Sequence, residues 1–213
     1  VEKRRNVIDT KIKKLRSFSD MFNIVIFGAP GSGKGTQSDK LIAHYNLFHI
    51  STGDVLRDHI MRGTELGKTA NAYISDGKLI PDDLMISILD SVLDDNAEAV
   101  KEGVIFDGFP RTIPQAKSLK AMLEKRGAKV NIVLGLEVEE EELIDRLIKR
   151  GLESGRSDDN LETIKKRLVV YHNQTSPLKQ YYLDEGKYAA IEGSGSIDAI
   201  FNRIKDAVDK VRG

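Results

Sequence analysis

Apolar and polar residues alternate with two different periods along this chain. Five short apolar runs have the glycine or charged boundaries of buried strands, and amphipathic helical patterns lie between them. The strand runs are FNIVIFG, LFHIS, GVIFDGF, VNIVLGLEV and KYAAIEG. The helical patterns cover Lys34 to Tyr45, Asp82 to Leu93, Ile113 to Lys125, Glu139 to Lys149, Asp159 to about Tyr182, and a last stretch marked by Ile197, Ile200, Ile204, Val208 and Val211. This alternation predicts an α/β fold with a parallel sheet covered on both faces.

Two segments fall outside this alternation and read as insertions. Residues 51–80 are polar and helical in pattern, whereas residues 150–160, RGLESGRSDDN, are short, charged and glycine-bearing. We expect the second segment to move. The chain has 213 residues, enough for one core with small inserted lobes.

The first twenty residues differ from the rest. Residues 1–20 are basic and precede Met21, which would be a natural start for a domain. We expect a leader outside a core domain of residues 21–213. The spacing of Val7, Ile8, Ile12 and Leu15 predicts a helix docked on the domain or on a neighbour, and a targeting role stays open.

The amino-acid composition argues against several classes of function. Lys plus Arg equals Asp plus Glu at 33 each, so no field of one sign favours nucleic-acid or membrane binding. The absence of Cys excludes disulfides, thiolate chemistry and a Cys-based zinc site. No apolar run is long enough to span a bilayer and no signal peptide is visible, so we expect a cytoplasmic location. The four histidines, at positions 44, 49, 59 and 172, do not cluster as metal ligands do.

The stretch FGAPGSGKGTQ resembles a phosphate-binding loop. Gly28, Gly33 and Lys34 fit the pattern G-x-x-x-x-G-K-[ST], but Gly35 follows the lysine and the hydroxyl arrives one position late, at Thr36. Glycines let phosphate oxygens approach backbone N–H groups, and a helix N-terminus favours anions. An incidental glycine-rich turn would not explain Lys34, so we predict phosphate binding.

The missing hydroxyl changes the expected metal site. In many P-loop proteins the Ser or Thr after the lysine binds Mg²⁺ directly. With Gly35 there, phosphate oxygens and water would hold most of the coordination shell. Asp107 ends the run VIFD and is the expected outer-shell anchor through water. Alternatively, Asp107 caps the next turn.

Several arginines sit beside glycines or at predicted strand ends. They are Arg57, Arg111, Arg150, Arg156 and Arg167. A single arginine is usually a solvated surface charge, but α/β proteins bind ligands at the carboxyl ends of their strands. The planar guanidinium gives two bonds to one phosphate. The set therefore predicts a phosphate donor and a phosphate acceptor bound face to face.

Several motifs together resemble the adenylate kinase family over essentially all of residues 21–213. They are GAPGSGKGTQ, ISTGDVLR, GKLIPDDL, DGFPRT, KRGLESGRSDDN and ETIKKRL. In that family G-x-P-G-x-G-K-G-T is the normal form of the loop. The resemblance implies a P-loop three-layer fold with a five-stranded parallel sheet, a nucleoside-monophosphate lobe at 51–80 and a lid at 150–160. The lid is the short type without a zinc knuckle.

The resemblance also implies site residues. ATP would be bound by Gly31, Ser32, Gly33, Lys34, Gly35, Thr36, Arg150 and, through its backbone, Gly195. AMP would be bound by Thr52, Arg57, Lys78, Leu79, Ile80, Gly108, Phe109, Pro110, Arg111, Gln115, Arg156 and Arg167. Lys34, Arg111, Arg150, Arg156 and Arg167 would act on the transferred phosphoryl group.

The residue chemistry leaves some roles open. A side-chain amide such as Gln115 can pair with both N6 and N7 of adenine, or it is a solvated helix residue. Thr52 can contact AMP and can also be the N-cap of the helix that starts in GDVLR. Asp158 and Asp159 fit a hinge or a clamp at the lid, or they are N-cap carboxylates of the helix that follows.

These features predict an ATP:AMP phosphotransferase that uses Mg²⁺ and gives two ADP, working as a monomer. Another nucleoside-monophosphate kinase, acting on UMP, CMP or GMP, is the nearest alternative. A nucleotide-dependent switch needs no second nucleotide pocket, so STGDVLR and DGFPRT argue against it. A purely structural protein leaves the glycine loop and the arginines unexplained.

Overall fold

The computed structural model describes residues 21–156 and 158–213. The helix predicted around Val7 to Leu15 lies outside the described residues. The elements follow in the order β1 (Asn23–Gly28), α1 (Lys34–Tyr45), β2 (Phe48–Ser51), α2 (Thr52–Met61), α3 (Glu65–Ile74), α4 (Asp82–Asp95), β3 (Val104–Asp107), α5 (Ile113–Lys125), β4 (Val130–Glu137), α6 (Glu140–Ser154), α7 (Leu161–Val170), α8 (Leu178–Asp184), β5 (Tyr188–Glu192) and α9 (Ile197–Arg212).

The five strands form one parallel sheet in the order β2-β3-β1-β4-β5. This confirms the α/β prediction and the number of strands. Their continuous apolar sequences agree with burial on both faces, since helices cover both sides of a parallel sheet.

Side chains alternate between the two faces, as the strand period requires. Ile24 of β1 packs in a cluster with Leu41 of α1 and Ile204 of α9. Its neighbour Val25 belongs to the cluster on the other face, with Leu119 of α5. All five side chains are at most 1% exposed, so each face of the sheet has its own buried apolar core against a layer of helices.

Strands β2 and β3 end at the same level at one edge of the sheet, and β1 continues two residues beyond that level, to Gly28. Asp107, the last residue of β3, is in register with Ser51 of β2 and with Ile26 of β1. The phosphate-loop segment after β1 and the DGFPRT segment after β3 therefore leave the sheet side by side.

The polar insertion at 51–80 contains helices α2 and α3. The prediction that Thr52 caps the first of them is wrong. Ser51 is the N-cap, and its hydroxyl accepts from the backbone N–H of Asp54 at 3.3 Å. Thr52 is instead the first helical residue, is 2% exposed, and donates its hydroxyl to the carbonyl of Asp107 at 3.3 Å. The insertion is thus tied to the end of β3.

The single helix predicted from Asp159 to about Tyr182 is wrong. Helix α7 ends at Val170, a π-helical turn follows over Tyr171–Thr175, and α8 begins at Leu178. Ser176 donates its N–H to the carbonyl of Tyr171, five residues back. Pro177 has no N–H to continue the helical pattern, which accounts for the interruption.

Helix α6 is longer than its apolar pattern predicts. It continues from Lys149 to Ser154, so the first residues of the predicted mobile segment are helical. Gly155 ends the helix with a left-handed backbone, φ 64°, and donates its N–H to the carbonyl of Gly151. Glycine favours this conformation because it has no Cβ. Across residues 21–156 and 158–213, none of the helices has the length and apolar character needed to cross a membrane.

Candidate active site

A cavity of about 620 Å³ opens at the carboxyl edge of the sheet. It gathers most of the residues predicted for the site, although they are far apart in sequence. Those that line it are Gly31, Ser32, Gly33, Lys34, Gly35, Thr36, Arg57, Leu79, Asp107, Gly108, Pro110, Arg111, Arg150, Arg156, Arg167 and Gly195.

The glycine loop wraps this cavity tightly. Gly31 has φ 85°, and a Cβ there would lie 2.8 Å from the carbonyl of Leu143 in α6. Gly33, with φ 91°, immediately precedes α1 and offers no side chain to cap it. The first four backbone N–H groups of a helix have no partner within the helix. The start of α1 therefore presents free donors and partial positive charge to the cavity.

Lys34 lies at the floor of the loop. Its Nζ donates to the carbonyls of Gly28 and Ala29, both at 3.0 Å. Burial and the charges of nearby arginines, against the opposing effect of Asp107, together lower the pKa of Lys34 to about 8. The ammonium is therefore poorly compensated by the protein and suited to receive an anion.

A smaller cavity of about 70 Å³ adjoins the first on the side of the 51–80 insertion. The predicted residues that line it are Thr52, Arg57, Lys78, Leu79, Ile80, Arg111, Gln115 and Arg167. Phe109 is different from the other predicted contacts. Its side chain is 1% exposed and packs in the core, and it lines neither of these two cavities.

Two buried carboxylates hold two of the arginines. Arg150 makes a bidentate pair with Asp159, at 2.6 and 2.8 Å. Arg167 contacts Asp158 at 2.8 Å and Asp159 at 2.9 Å. The Asp159 side chain is 0% exposed. Burial alone would raise the pKa of Asp159, but its bonds to Arg150 outweigh burial and the pKa lies below its ordinary value.

This geometry decides between the two roles considered for the aspartates. Asn160 is the N-cap of α7, because its side chain accepts from the N–H of Thr163 at 2.9 Å. Asp158 and Asp159 are therefore not caps. They connect the segment after α6 to the arginines of α6 and α7.

The remaining arginines are less well compensated. Arg111 donates its Nε to the carbonyl of Gly108 at 2.7 Å. Burial and then the charge of Arg167 lower the pKa of Arg111 to about 10. Burial also lowers the pKa of Arg156, and Arg57 lowers it further. Mutual repulsion among cations at this cavity indicates a site for a strongly anionic ligand.

One contact crosses the cavity. Arg156, in the segment after α6, lies 3.8 Å from the carboxylate of Asp54 in α2, and Arg57 pairs with the same carboxylate. Helix α2 and the segment after α6 therefore face one another over the site.

Asp107 is 8% exposed and lies beside the loop, with one oxygen 3.6 Å from Nε2 of His49. Gly35 adds no hydroxyl at the position after the lysine, and a Cβ built there has no described atom within 4 Å. Beside the loop, the described residues thus offer the Asp107 carboxylate, a hard oxygen donor, and open space at Gly35. No cluster of three or more metal-ligating side chains occurs among the described residues.

Arg146 also lines the large cavity, and the sequence reasoning missed it. It pairs with Glu142 and donates to the carbonyl of Gly193 at 3.0 Å. Arg146 is four residues before Arg150 on α6, so both project from one helix face. That spacing is the signal that could have found it.

The fold and the site define a P-loop nucleotide-binding protein with two adjoining ligand cavities. Comparison with known proteins gives the family. The family model described as Adenylate kinase matches residues 26–187. An adenylate kinase of Bacteroides fragilis is 64% identical over 189 residues, which cover 89% of this chain and 99% of that protein. One of Parabacteroides distasonis is 62% identical over 90% of this chain and all of that protein. One of Porphyromonas gingivalis is 52% identical over 90% and 98%.

The chain belongs to the adenylate kinase family. The resemblance inferred from the motifs is confirmed. Membership also gives the reaction class, phosphoryl transfer between ATP and AMP.

The buried clamp generates a stability prediction. Asp159→Asn leaves Arg150 and Arg167 without their shared charge, and we expect it to lower the free energy of unfolding by about 3 kcal/mol at pH 7. Because the folded pKa of Asp159 is depressed, its contribution is complete above the ordinary value of 3.8. It is lost as the pH falls through the lower folded value. Urea unfolding between pH 7 and pH 3 measures both effects.

The control is Asp39→Asn, at an exposed position of α1. We expect it to change stability by less than about 0.5 kcal/mol at every pH. Equal effects of the two substitutions would contradict the clamp.

Proposed function

We propose that this chain transfers the terminal phosphoryl group of Mg-ATP reversibly to AMP, giving two ADP. The observation that carries the proposal is that two adjoining cavities share Arg57, Arg111 and Arg167. A single bound nucleotide needs no second cavity. Two nucleotides whose phosphates meet need cations at the boundary, because charge builds up there.

On the donor side, residues 31–36 would bind the ATP phosphates through the loop and the start of α1. They are Gly31, Ser32, Gly33, Lys34, Gly35 and Thr36. Arg150 would contact the same phosphates from α6. Gly195, which lines the far part of the cavity with φ 107°, would meet the adenine through its backbone.

On the acceptor side, the base of AMP would occupy the smaller cavity, and its phosphate would lie where the two cavities meet. Arg57, Arg111, Arg156 and Arg167 would bind its phosphate, and Gln115 its base. Thr52 and the backbone of Lys78, Leu79, Ile80, Gly108, Phe109 and Pro110 would complete the pocket. The buried side chain of Phe109 leaves its backbone as the part of that residue able to contact a ligand.

Catalysis would come from positioning and charge. Lys34, Arg111, Arg150, Arg156 and Arg167 would neutralise the moving phosphoryl group, which passes with little covalent help from a protein. No general base is needed. In this account Asp158 and Asp159 hold Arg150 and Arg167 in place before substrate arrives.

Mg²⁺ fits the donor set beside the loop. Asp107 offers a carboxylate next to the cavity, and hard oxygen ligands suit this ion. Gly35 supplies no direct ligand, so phosphate oxygens and water would surround the ion, and Asp107 would hold it through water. When bound, Mg²⁺ would offset phosphate charge.

Two moving parts follow from this proposal. Residues 51–80 would be the AMP-binding lobe and residues 150–160 the lid. The approach of Arg156 to Asp54, at 3.8 Å, supports closure of the two over the substrates. Closure would exclude water, which would otherwise consume ATP.

We also propose that the chain works as a monomer in the cytoplasm, without a nucleic-acid partner. Residues from one chain line both cavities, so a second copy is not needed to build the site. The formal net charge of zero gives no general attraction to a polyanion.

The experiment is ADP formation from Mg-ATP with AMP, GMP, CMP, UMP or water alone as acceptor. We expect rapid turnover with AMP and very slow hydrolysis. Arg111→Ala should lower kcat at least about a hundredfold, because it removes a donor aimed at developing charge. Arg62→Ala, at an exposed position outside both cavities, should not change kcat.

Preference for another monophosphate would keep the kinase and overturn the assignment of AMP. Slow hydrolysis that no acceptor accelerates would overturn the phosphotransferase.

Lys34 generates a pH prediction. Its pKa of about 8 means that the ligand-free protein loses this charge as the pH rises through 8. Neutral lysine cannot neutralise phosphate, so kcat/KM for ATP, which reports the free enzyme, should fall above pH 8. Lys34→Arg should be less active but flat from pH 7 to pH 9.5, because arginine keeps its charge. A flat profile for the unaltered protein would contradict the assignment.

A further inference from the structure

The side-chain amide of Gln115 is held at both ends. Gln115 lies in the first turn of α5, is 2% exposed and lines the smaller cavity. Its Oε1 accepts from the backbone N–H of Arg111 at 2.7 Å. Its Nε2 donates to Oδ1 of Asp82 at 2.6 Å.

These two partners determine which end of the Gln115 amide is oxygen and which is nitrogen. The oxygen and nitrogen of a glutamine are usually told apart only by their hydrogen bonds. A backbone N–H can only donate, and an ionised carboxylate can only accept. The Arg111 end must therefore be Oε1, and the Asp82 end must be Nε2. Each atom still has one free position, a lone pair on the oxygen and a hydrogen on the nitrogen.

We propose that Asp82 is a positioning residue that fixes Gln115 to accept adenine and refuse guanine. The proposal rests on the function given above, in which Gln115 meets the acceptor base. Adenine presents an N6 donor next to a ring nitrogen acceptor, which complements the free lone pair and the free hydrogen. Guanine presents the acceptor O6 in place of N6. An amide fixed for adenine turns its own oxygen toward O6, and two acceptors repel.

A freely flipping amide would discriminate less. Turned over, its Nε2 would donate to O6 of guanine, and the repulsion between the two oxygens would be gone. The two hydrogen bonds to Gln115 oppose this flip, since it would face Nε2 to an N–H and Oε1 to a carboxylate. Discrimination between purines of similar size thus depends on Asp82 as well as on Gln115.

The fold gives Asp82 this position. It is the first residue of α4, and Pro81 alone separates it from the segment Lys78 to Ile80 that lines the same cavity. The positive end of the helix stabilises a carboxylate there. Asp82 and Gln115 are 33 residues apart in sequence, so their contact ties the acceptor segment to α5.

The test compares kcat and KM for AMP and GMP at saturating Mg-ATP. Asp82→Ala removes the acceptor. We expect KM for AMP to rise about tenfold and the AMP-over-GMP ratio of kcat/KM to fall about tenfold, with KM for ATP unchanged. Asp82→Leu, which keeps a branched side chain but has no acceptor, should have the same effect. Asp82→Asn keeps an acceptor oxygen and should stay within about twofold of the unaltered protein.

Two controls separate positioning from a structural effect. Asp83→Ala removes a neighbouring first-turn carboxylate of α4 and should leave the ratio unchanged. In a Gln115→Ala background, adding Asp82→Ala should change the ratio no further, because Asp82 acts through Gln115.

An unchanged ratio in Asp82→Ala and Asp82→Leu overturns the proposal. So does an equal effect of Asp83→Ala, or a further loss in the Gln115→Ala background. If the unaltered protein does not phosphorylate AMP, the proposed function fails first and this inference falls with it.

Discussion

Repulsion among cations around one cavity is the constraint on which the rest of this site depends. Lys34 and Arg111 have lowered pKa values because burial and neighbouring arginines disfavour their charged forms. Such a cluster persists only if the fold holds it. The Asp158 and Asp159 carboxylates supply part of that restraint without cancelling the positive charge. A bound polyphosphate would neutralise the positive charge that these carboxylates leave uncompensated.

The parallel sheet decides where this charge collects. Parallel strands bring their carboxyl ends to one edge, and the loops that leave this edge carry the ligand-binding residues. The loop after β1 brings Lys34, and the loop after β3 brings Arg111. Helices α6 and α7 add Arg150 and Arg167 from the side. Local structure thus explains a site whose members span much of the chain.

The strands and most helices could be predicted because their signals are local. The apolar run of β1 is bounded by glycine, and α1 begins and ends where its pattern does. The helix predicted to reach Tyr182 failed because apolar periodicity continues through a π-helical turn, where only Pro177 signals the break. Helix α6 continues beyond the end of its apolar pattern because polar residues can also form a helix.

The site could be predicted by residue type but not by contact. Arginines beside glycines indicated phosphate binding, and the family resemblance assigned them to two nucleotides. Their partners could not be read from the sequence. Asp159 reaches both Arg150 and Arg167, and Asp82 reaches Gln115, only because separate helices converge. The N-cap of α2 also depends on contacts that the sequence does not show. Both Ser51 and Thr52 carry a suitable hydroxyl, and Ser51 is the residue that caps the helix.

The most direct test is the binding of one ligand that spans both cavities. A dinucleotide that joins two adenosines through five phosphates would occupy the donor and acceptor positions together. Calorimetry should find one such molecule per chain, and its binding should prevent that of both ATP and AMP. A complex that still binds AMP with unchanged affinity would contradict two phosphate-linked sites at one cluster of cations.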